Sequence, residues 1–203
     1  MSKPAPDGLK RTMDVALCLL ALPVALPLMA AIALAVRLDS SGPAWFRQER
    51  VGRGGRPFRI HKFRTMRVTD GRGPQVTAAH DARITRVGRW LRRTKLDELP
   101  QMIDVLKGDM SLVGPRPEVP RFMALYAEDV RRQILSVRPG ITDRAAIEFR
   151  DEEDLLAAAA DPERVYIEQV MPIKQRYYLD YMAQRSLGGD LRILWHTVRA
   201  LLK

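Results

Sequence analysis

The chain has 203 residues, of which 46% are hydrophobic and 29% charged, and its formal net charge at neutral pH is +10. This composition is typical of a folded domain of medium size and excludes an intrinsically disordered chain. The single cysteine, Cys18, excludes an internal disulfide, and the three histidines do not have the spacing of zinc ligands.

Charge is distributed unevenly along the chain. Residues 44–93 contain 14 Lys or Arg against 3 Asp or Glu, whereas residues 141–180 contain 5 against 10. A strongly basic segment needs an anionic partner, which can be nucleic acid, lipid headgroups or a phosphorylated substrate. The composition therefore fixes the sign of the partner's charge and leaves its class open.

Residues 15–36 form a run of 22 residues without a charged side chain. As a helix, a run of this length can cross a hydrocarbon core of about 30 Å. A signal peptide usually has a shorter apolar region that ends at a small-residue cleavage site, and a buried core helix is seldom this long. A membrane helix is therefore the preferred interpretation.

Two prolines, Pro23 and Pro27, lie inside this run, and a proline in a helix interior removes a hydrogen bond and bends or breaks the helix. Basic residues flank the run on both sides, so the positive-inside rule places both ends in the cytoplasm. A re-entrant helix broken at Pro27 satisfies both observations, although a kinked spanning helix stays open. We expect a tail and membrane helix at residues 1–38, and a cytosolic domain lying on the membrane surface at residues 39–203.

Two aromatic and β-branched segments, at residues 44–51 and 57–63, flank a glycine-rich turn and predict a β-hairpin. The turn lacks the GK[ST] ending of a phosphate-binding loop, which favours a plain turn. Lys62 and Arg64 add cations at the end of the hairpin. Residues 83–93 predict an arginine-rich helix with a tryptophan, which suits lipid headgroups, whereas no base-stacking or recognition-helix pattern favours nucleic acid.

The most informative stretch is residues 94–117. Its apolar residues recur with the period of a helix, and Thr94 and Gly108 have the character of an N-cap and of a helix stop. This spacing predicts Asp97 and Glu98 in the first helical turn, where the helix dipole favours ionised carboxylates. An ionised carboxylate can act as a nucleophile, a base or a metal ligand, although an acidic pair at a helix start can also be purely structural.

The remaining segments are mainly helical. We expect one helix at residues 118–135, a solvated helix at 151–163 and a long helix at 165–185 that is interrupted at Pro172. A last amphipathic helix at 190–203 can either lie in the membrane interface or seal the core. Its apolar stripe consists of Leu191, Leu194, Trp195, Val198, Leu201 and Leu202. The expected fold class is α+β, mainly α, with a re-entrant membrane helix broken at proline, a small β-hairpin and several amphipathic interfacial helices.

Several motifs occur in the order typical of the monotopic phosphoglycosyl transferases, the bacterial sugar transferases that begin glycan assembly on a polyprenol carrier. The matching segments are KRTMD at 10–14, Pro27, GP at 42–43, KFRTM at 62–66, LDELPQ at 96–101, LKGDMSLVGPRP at 106–117 and RPGIT at 138–142. They are spread over most of residues 10–142, and the set is highly specific. The chain resembles a minimal, single-domain member of this family.

The resemblance implies transfer of a phospho-sugar from a UDP-sugar to undecaprenyl phosphate, with release of UMP and formation of an undecaprenyl-diphosphate-sugar. It also implies Mg²⁺ as cofactor and a ping-pong mechanism, in which Asp97 forms an aspartyl-phosphate intermediate and contacts the metal. Glu98 matches the residue that assists the acceptor step. Phosphoryl transfer depends on positioning and charge neutralisation, which a carboxylate pair and nearby arginines can provide.

Four cationic residues are candidates for phosphate binding. Arg116 lies in a rigid Gly-Pro-Arg-Pro turn and suits a bidentate phosphate contact. Lys62, Arg64 and Arg138 are secondary candidates for the diphosphate or the carrier phosphate. Asp109, which belongs to the same motif as Arg116, can be either functional or structural.

The chain departs from the family pattern in two places. Leu26 stands before Pro27, where family members usually have a serine that could bond a freed carbonyl, and Pro23 is an additional break. After Thr142 many members continue with GWAQ, whereas residues 143–150 read DRAAIEFR here. That segment is a candidate for nucleotide or sugar contacts, so the donor sugar does not follow from the resemblance.

The expected partners are a UDP-sugar donor, undecaprenyl phosphate and membrane phospholipid, with no nucleic acid and with a homodimer left open. The expected location is the cytoplasmic face of the bacterial inner membrane. The competing function is a non-catalytic membrane adaptor, which explains the basic charge and the amphipathic helices. It gives no reason for Asp97 and Glu98 beside arginine-bearing turns, so the transferase is the preferred interpretation.

Overall fold

A computed structural model describes residues 7–68, 81–149 and 152–201 of the chain. These residues are mainly helical, and they include two small two-stranded β-sheets. The expected fold class, α+β and mainly α, is therefore confirmed.

The first element is α1 (Asp7–Asp39), a helix of 33 residues that is long and apolar enough to cross a membrane. One side of α1 is buried against the rest of the chain, through Asp14, Cys18, Ala25, Met29, Ile32 and Val36. Their spacing of three, four or seven residues puts them in one stripe along the helix. Large apolar side chains on other faces are exposed, among them Leu20, Val24 and Leu38.

The helical structure of α1 continues through both Pro23 and Pro27, so the break expected at Pro27 is not an interruption of the helix. Each proline removes one backbone donor, which leaves only the carbonyl groups four residues earlier without their helical bond. Both prolines are on the exposed side of α1. The freed carbonyl groups therefore do not interrupt the helix.

Both ends of α1 are bound to the same globular part. Near the N-terminus, Asp14 accepts a hydrogen bond from the hydroxyl of Ser111 at 2.7 Å. At the C-terminus, Asp39 accepts one from the backbone N–H of Val87 at 2.9 Å. Both ends of α1 therefore lie against one body, and the re-entrant arrangement in a membrane stays a prediction. The boundary between residues 38 and 39 as a domain limit stays a prediction.

The predicted hairpin is confirmed as two antiparallel strands, β1 (Trp45–Val51) and β2 (Pro57–Phe63). A short 3-10 turn, Arg53–Gly55, connects them and contains two glycines at positive φ, 67° at Gly54 and 78° at Gly55. Glycine adopts this conformation without a steric penalty, which explains the glycine-rich connection. It is a plain turn, as the sequence indicates.

The arginine-rich helix is confirmed as α2 (Arg86–Thr94), but the helix expected to start at Thr94 is not found there. Thr94 is the last residue of α2, and its hydroxyl donates back to the carbonyl of Trp90 at 2.9 Å. Lys95 then has a left-handed backbone, with φ 54°, which stops α2 and turns the chain.

The acidic pair lies in a separate 3-10 turn, Leu96–Glu98, and not in the first turn of an α-helix. The next helix, α3 (Gln101–Lys107), begins directly after Pro100, a position that tolerates the missing N–H of proline. Gly108 ends α3 with a left-handed backbone, φ 94°, so the predicted stop is confirmed.

Two short strands, β3 (Ser111–Val113) and β4 (Gly140–Thr142), form a parallel pair beyond α3. Their backbones approach closely because Gly114 and Gly140 lack side chains: a Cβ at Gly140 would lie 2.1 Å from the backbone nitrogen of Gly114. The Gly-Pro-Arg-Pro turn that follows β3 is thereby packed against β4.

The C-terminal half is helical, and its helices are α4 (Pro120–Met123), α5 (Glu128–Ile134), α6 (Arg144–Glu148), α7 (Glu152–Ala157), α8 (Pro162–Val165), α9 (Met171–Gln184) and α10 (Leu187–Leu201). The single helix expected at residues 118–135 is therefore two helices, α4 and α5. The long helix expected at 165–185 is present, with a π-helical turn at Tyr166–Val170 directly before α9. Pro172 lies at the start of α9, where its missing N–H does least harm.

Helix α10 packs on the core, which is one of the two roles that the sequence leaves open, and its role in the membrane interface stays a prediction. It packs on the core through Asp190 and Ile193, which are buried. Leu191, Trp195 and Val198, which belong to the predicted apolar stripe, are about half exposed or more. The contact with the core is therefore made by a row beside the stripe, and the stripe is left available for an apolar environment.

Candidate active site

A cavity of about 820 Å³ lies between the hairpin, the 3-10 turn, the turn after β3 and the C-terminal helices. Five of the residues singled out by the sequence line it together: Asp97, Glu98, Lys62, Arg64 and Arg116. They come from three separate segments, so the fold and not the local sequence brings them together.

The hairpin positions Lys62. Strand β2 is fixed to α3 by Asp104, which accepts hydrogen bonds from the backbone N–H of His61 at 2.8 Å and faces its ring nitrogen Nδ1 at 2.5 Å. Because neighbouring side chains on a strand point to opposite faces, Lys62 is directed away from Asp104 and into the cavity.

Glu98 is the most strongly paired group in the cavity. Its Oε1 accepts a hydrogen bond from Lys62 Nζ at 2.7 Å. Arg116 binds the same carboxylate with both terminal nitrogens, one of them 3.0 Å from Oε2. Burial raises the pKa of Glu98, but the charges and hydrogen bonds of Arg116 and Lys62 outweigh it and hold this pKa well below its usual range. Glu98 is therefore a persistent anion.

Asp97 has a different environment from its neighbour. Its Oδ2 is 3.8 Å from Lys62 Nζ, and its Oδ1 is buried with no hydrogen-bond partner among the residues that the structure describes. Burial raises the pKa of Asp97, the charge of Lys62 lowers it and the charge of Glu98 raises it further. The helix dipole expected from the sequence is absent from this 3-10 turn, and the nearby cations do not outweigh burial, so the pKa of Asp97 stays above its usual value.

Arg116 is held by the turn after β3. The glycine contact with β4 fixes the backbone on one side, since Gly140 N–H donates to the carbonyl of Pro115 at 2.9 Å. The negative charge of Glu98 holds the pKa of Arg116 well above its usual value. The guanidinium is therefore oriented before any ligand enters, as a rigid turn predicts.

The other two predicted cations have structural partners. Arg64 caps the C-terminal end of α1: it donates to the carbonyl of Pro43 at 2.6 Å, to the hydroxyl of Ser40 at 2.6 Å and to the Ser40 carbonyl at 2.8 Å. It still borders the cavity. Arg138 donates to the carbonyl of Gly108 at 2.8 Å and is not among the residues that line the described cavity.

Arg50, Asp143 and Tyr178 are among the further residues that line the cavity, and the sequence selects none of them individually, although Asp143 lies in the segment 143–150 predicted to contact nucleotide or sugar. Arg50 could have been found, because β1 pairs Phe46 with Lys62 and strand alternation puts residue 50 on the same face. Asp143 lies in the divergent segment after Thr142 but has no motif of its own. Tyr178 lies on α9, in a helix whose sequence has no local sign of function.

The cavity wall is strongly basic, with cationic side chains from Arg50, Lys62, Arg67, Arg83, Arg92, Lys95, Arg116 and Lys174. Such a wall suits a ligand with several phosphate charges. Within the described ranges, no group of three or more His, Cys, Asp or Glu is arranged to hold a metal. Mg²⁺ needs only one or two carboxylates beside phosphate oxygens and water, and Asp97 Oδ1 could supply one of them.

A family model described as bacterial sugar transferase matches residues 6–203 of the chain. A UDP-N-acetylgalactosamine-undecaprenyl-phosphate N-acetylgalactosaminephosphotransferase of Aeromonas hydrophila is 40% identical over 197 residues, which cover 96% of this chain and 44% of the relative. A UDP-glucose:undecaprenyl-phosphate glucose-1-phosphate transferase of Caulobacter vibrioides is 41% identical over 204 residues, 98% of this chain and 71% of the relative. A transferase of the same name from Escherichia coli is 40% identical over 195 residues, which cover 94% of this chain and 39% of the relative.

The chain thus spans less than half the length of two of these relatives. The relatives' names contain different sugars at almost the same identity, so similarity alone does not select a donor. The match over nearly the whole chain nevertheless shows that the chain belongs to the bacterial sugar transferase family.

Proposed function

We propose that this chain moves a sugar 1-phosphate from a UDP-sugar to undecaprenyl phosphate and releases UMP. The observation that carries the proposal is the carboxylate of Asp97, which lines the 820 Å³ cavity with Oδ1 buried and unbonded within the described chain. A buried polar atom without a partner costs free energy, and proteins retain such atoms where chemistry needs them. The names of the relatives, all undecaprenyl-phosphate sugar phosphotransferases, support the same reaction.

In the first step, a carboxylate oxygen of Asp97 attacks the phosphorus that bears the sugar. The bond from this phosphorus to the oxygen that bridges to UMP breaks, and UMP leaves with the electron pair. The sugar phosphate is then held on Asp97 as an acyl phosphate. In the second step, an oxygen of undecaprenyl phosphate attacks the same phosphorus, the acyl-phosphate bond breaks and the Asp97 carboxylate is restored.

Glu98 acts as an electrostatic anchor in this scheme. Its pKa is held well below the usual range by Arg116 and Lys62 against the effect of burial, so it is a weak proton acceptor. The attacking phosphate of the carrier is already largely an anion at pH 7 and needs no strong base. Glu98 therefore assists the acceptor step by keeping two cations in position for the phosphates, and not by removing a proton.

The residues present fit Mg²⁺ as a cofactor. Asp97 would hold the ion through one oxygen and keep the other for attack, with phosphate oxygens and water completing the coordination. When bound, Mg²⁺ neutralises charge on the diphosphate as it leaves. Lys62 and Arg116 contribute fixed positive charge at the same place. Arg64 and Arg138 contribute indirectly, because their donors hold the ends of α1 and α3.

The site belongs at the cytoplasmic face of the bacterial inner membrane in this proposal. α1 is long and apolar enough to enter a bilayer, and the outer stripe of α10 with Trp195 is exposed. Tryptophan is favoured at the boundary between lipid and water. A transferase that takes its acceptor from the membrane needs such an attachment, and phospholipid is then a partner. A homodimer stays a prediction.

The test is UMP release by the purified chain in nanodiscs that contain undecaprenyl phosphate, with Mg²⁺ and a panel of UDP-sugars. We expect one or a few donors to release UMP, and Asp97→Asn to lower that rate by about 10³-fold or more because the nucleophile is lost. Asp129→Asn is the matched control, since Asp129 is exposed on α5. EDTA should abolish UMP release by the wild-type chain.

A second measurement separates the two-step mechanism from direct transfer. Without acceptor, a donor labelled in its sugar should leave one equivalent of label on the denatured wild-type protein and none on Asp97→Asn. Undiminished UMP release by Asp97→Asn would contradict Asp97 as nucleophile. UMP release with no protein-bound label would contradict the acyl phosphate.

A further inference from the structure

Asp143 and Tyr178 place two more buried polar atoms in the same cavity. Asp143 is 3% exposed and Tyr178 is 1% exposed. Oδ2 of Asp143 and the hydroxyl of Tyr178 have no hydrogen-bond partner in the parts of the chain that the structure describes. Neither residue belongs to the catalytic pair or to the cations that neutralise it.

The carboxylate of Asp143 is oriented by its role at the start of α6. Its Oδ1 accepts a hydrogen bond from the backbone N–H of Ala146 at 2.9 Å, which makes it the N-cap of this helix. One oxygen is therefore fixed by the backbone, while Oδ2 is left over. An N-cap residue need not be buried or line a cavity. The capping role of Asp143 therefore does not explain why its carboxylate is buried at the wall of the cavity.

One of the polar groups that act on Tyr178, the carboxylate of Glu118, is already engaged. Glu118, whose charge acts on Tyr178, accepts a hydrogen bond from the hydroxyl of Tyr166 at 2.5 Å. Arg116 is bonded to Glu98, which is the main cause of its raised pKa, and Tyr178 and Asp143 raise that pKa further. All four residues line the same cavity.

A carboxylate and a phenol hydroxyl that line the same cavity are poorly suited to phosphate, because the carboxylate repels it. They suit a neutral group rich in hydroxyls, since a carboxylate oxygen accepts from one hydroxyl and a phenol can donate to or accept from another. Buried polar groups that are satisfied only by a ligand also discriminate strongly between ligands.

We propose that Asp143 and Tyr178 form the subsite that binds the hydroxyl groups of the donor's hexose and thereby select the sugar. This inference rests on the proposed transferase function. The hexose is directly bonded to the phosphate that Asp97 attacks, whereas the ribose of the uridine is one phosphate further away. Asp143 and Tyr178 line the same cavity as Asp97 and Arg116, so they are available to the hexose.

The experiment compares Asp143→Asn and Tyr178→Phe with the wild-type chain in nanodiscs. Asparagine is as good an N-cap as aspartate, and Phe removes only the hydroxyl, so both changes keep the shape of the fold. Matched controls are Asp161→Asn, which alters the N-cap of α8, and Tyr177→Phe, next to Tyr178 on α9. Asp161 and Tyr177 do not line the described cavity.

The measured quantities are kcat/KM for UMP release from UDP-glucose, UDP-galactose and their 2-acetamido counterparts, and the inhibition constant of UMP. We expect each cavity variant to lose about 10- to 100-fold in kcat/KM with the preferred donor. The ratio of kcat/KM between the preferred donor and the other donors should fall toward one. The inhibition constant of UMP should change less than about twofold, because UMP lacks the hexose. The two control variants should behave like the wild-type chain.

Three outcomes would overturn the inference in distinguishable ways. An equal loss with every donor, together with weaker inhibition by UMP, would assign the pair to the ribose. Unchanged kcat/KM for all donors in both variants, with the wild-type chain active, would remove the subsite and leave the transferase function intact. No UMP release from any donor by the wild-type chain would refute the transferase function, and the subsite with it.

Discussion

Asp97 and Glu98 are adjacent in sequence, yet their surroundings shift their pKa values in opposite directions. Both are buried, which disfavours the charged form of each. Glu98 has two cations bonded to it, and they lower its pKa well below the usual range despite burial. Asp97 has one cation at 3.8 Å, so burial prevails and its pKa is raised. Asp97 has the higher pKa of the two carboxylates and the fewer bonded cations. It is also the one whose Oδ1 has no hydrogen-bond partner in the described chain and can contact a substrate.

The buried carboxyl group of Asp143 leads to a prediction about how the stability of the protein depends on pH. Burial, its largest cause, raises the pKa of Asp143 in the folded protein above the 3.8 of the unfolded chain. The unfolded chain therefore ionises first, and stability falls as the pH rises through the folded-state pKa. Asp143→Asn does not titrate, so we expect it to stabilise the protein at pH 7. The gain is the stability that the wild-type chain loses when the buried carboxyl group ionises, and it should appear as a higher thermal unfolding midpoint.

The measurement is the thermal unfolding midpoint of both proteins in detergent between pH 4.5 and pH 8. The difference should be largest at high pH and should shrink as the pH falls toward the unfolded-state value. Asp161→Asn, at an exposed cap, should show no comparable gain at pH 7. A gain that stays constant across this pH range would contradict the assignment, because it would not come from ionisation of Asp143.

At the scale of elements, periodicity in the sequence predicts those segments whose structure depends on nearby residues. The hairpin, α2 and the long helix around Pro172 all follow from alternation, amphipathic spacing or turn composition. The helix expected from Thr94 fails because Lys95 adopts a left-handed backbone, which is uncommon for lysine and has no sequence signal. The sequence also does not predict that α1 continues through Pro27. The helix is stabilised there by packing along one whole side of α1, and such tertiary packing is not visible in the local sequence.

Gly140 supports a prediction about the contact between β3 and β4. A methyl group at this position would lie 2.1 Å from the backbone nitrogen of Gly114 and 2.4 Å from its oxygen, and backbone atoms cannot move aside easily. Gly140→Ala should therefore separate the strands and destabilise the protein by at least about 3 kcal/mol. Because Arg116 follows the same turn, UMP release should fall as well.

The thermal unfolding midpoint and the rate of UMP release check this prediction. Gly188→Ala is the matched control: Gly188 lies in the first turn of α10 with open space around its Cβ position. It should leave activity unchanged and alter stability by no more than about 1 kcal/mol, in the stabilising direction. An unchanged midpoint for Gly140→Ala would show that the two strands can separate without cost.

At the scale of the whole molecule, the site combines residues that are far apart in the chain. Motif reasoning selects Asp97, Glu98, Lys62 and Arg116, and all four line one cavity. It also selects Arg64 and Arg138, which stabilise helix ends, because a motif does not separate structural from chemical roles. Asp143 and Tyr178 lie outside recognisable motifs, and only the folded chain shows that their buried polar atoms share the cavity.

The arrangement of α1 leads to a prediction about membrane topology. Asp14 and Asp39, near the two ends of the helix, both bond to the globular part, and the buried stripe continues between them. If α1 crossed the membrane, these contacts could not all form, since about 30 Å of hydrocarbon would separate the two ends. We therefore expect both ends on the cytoplasmic side. Single cysteines at Ser2 and at the exposed Ser41, in a Cys18→Ala background, report on them.

The cysteines are probed in intact cells and in inverted membrane vesicles with a thiol reagent that does not cross membranes. We expect both positions to react only in inverted vesicles, and to the same extent as a cysteine at Asp129, an exposed residue of the globular part. Reaction of Ser2→Cys in intact cells, with Ser41→Cys protected, would establish a spanning helix. The contacts of Asp14 would then have to be broken in the membrane, so Asp14→Asn would leave stability unchanged in a spanning protein and lower it in a re-entrant one.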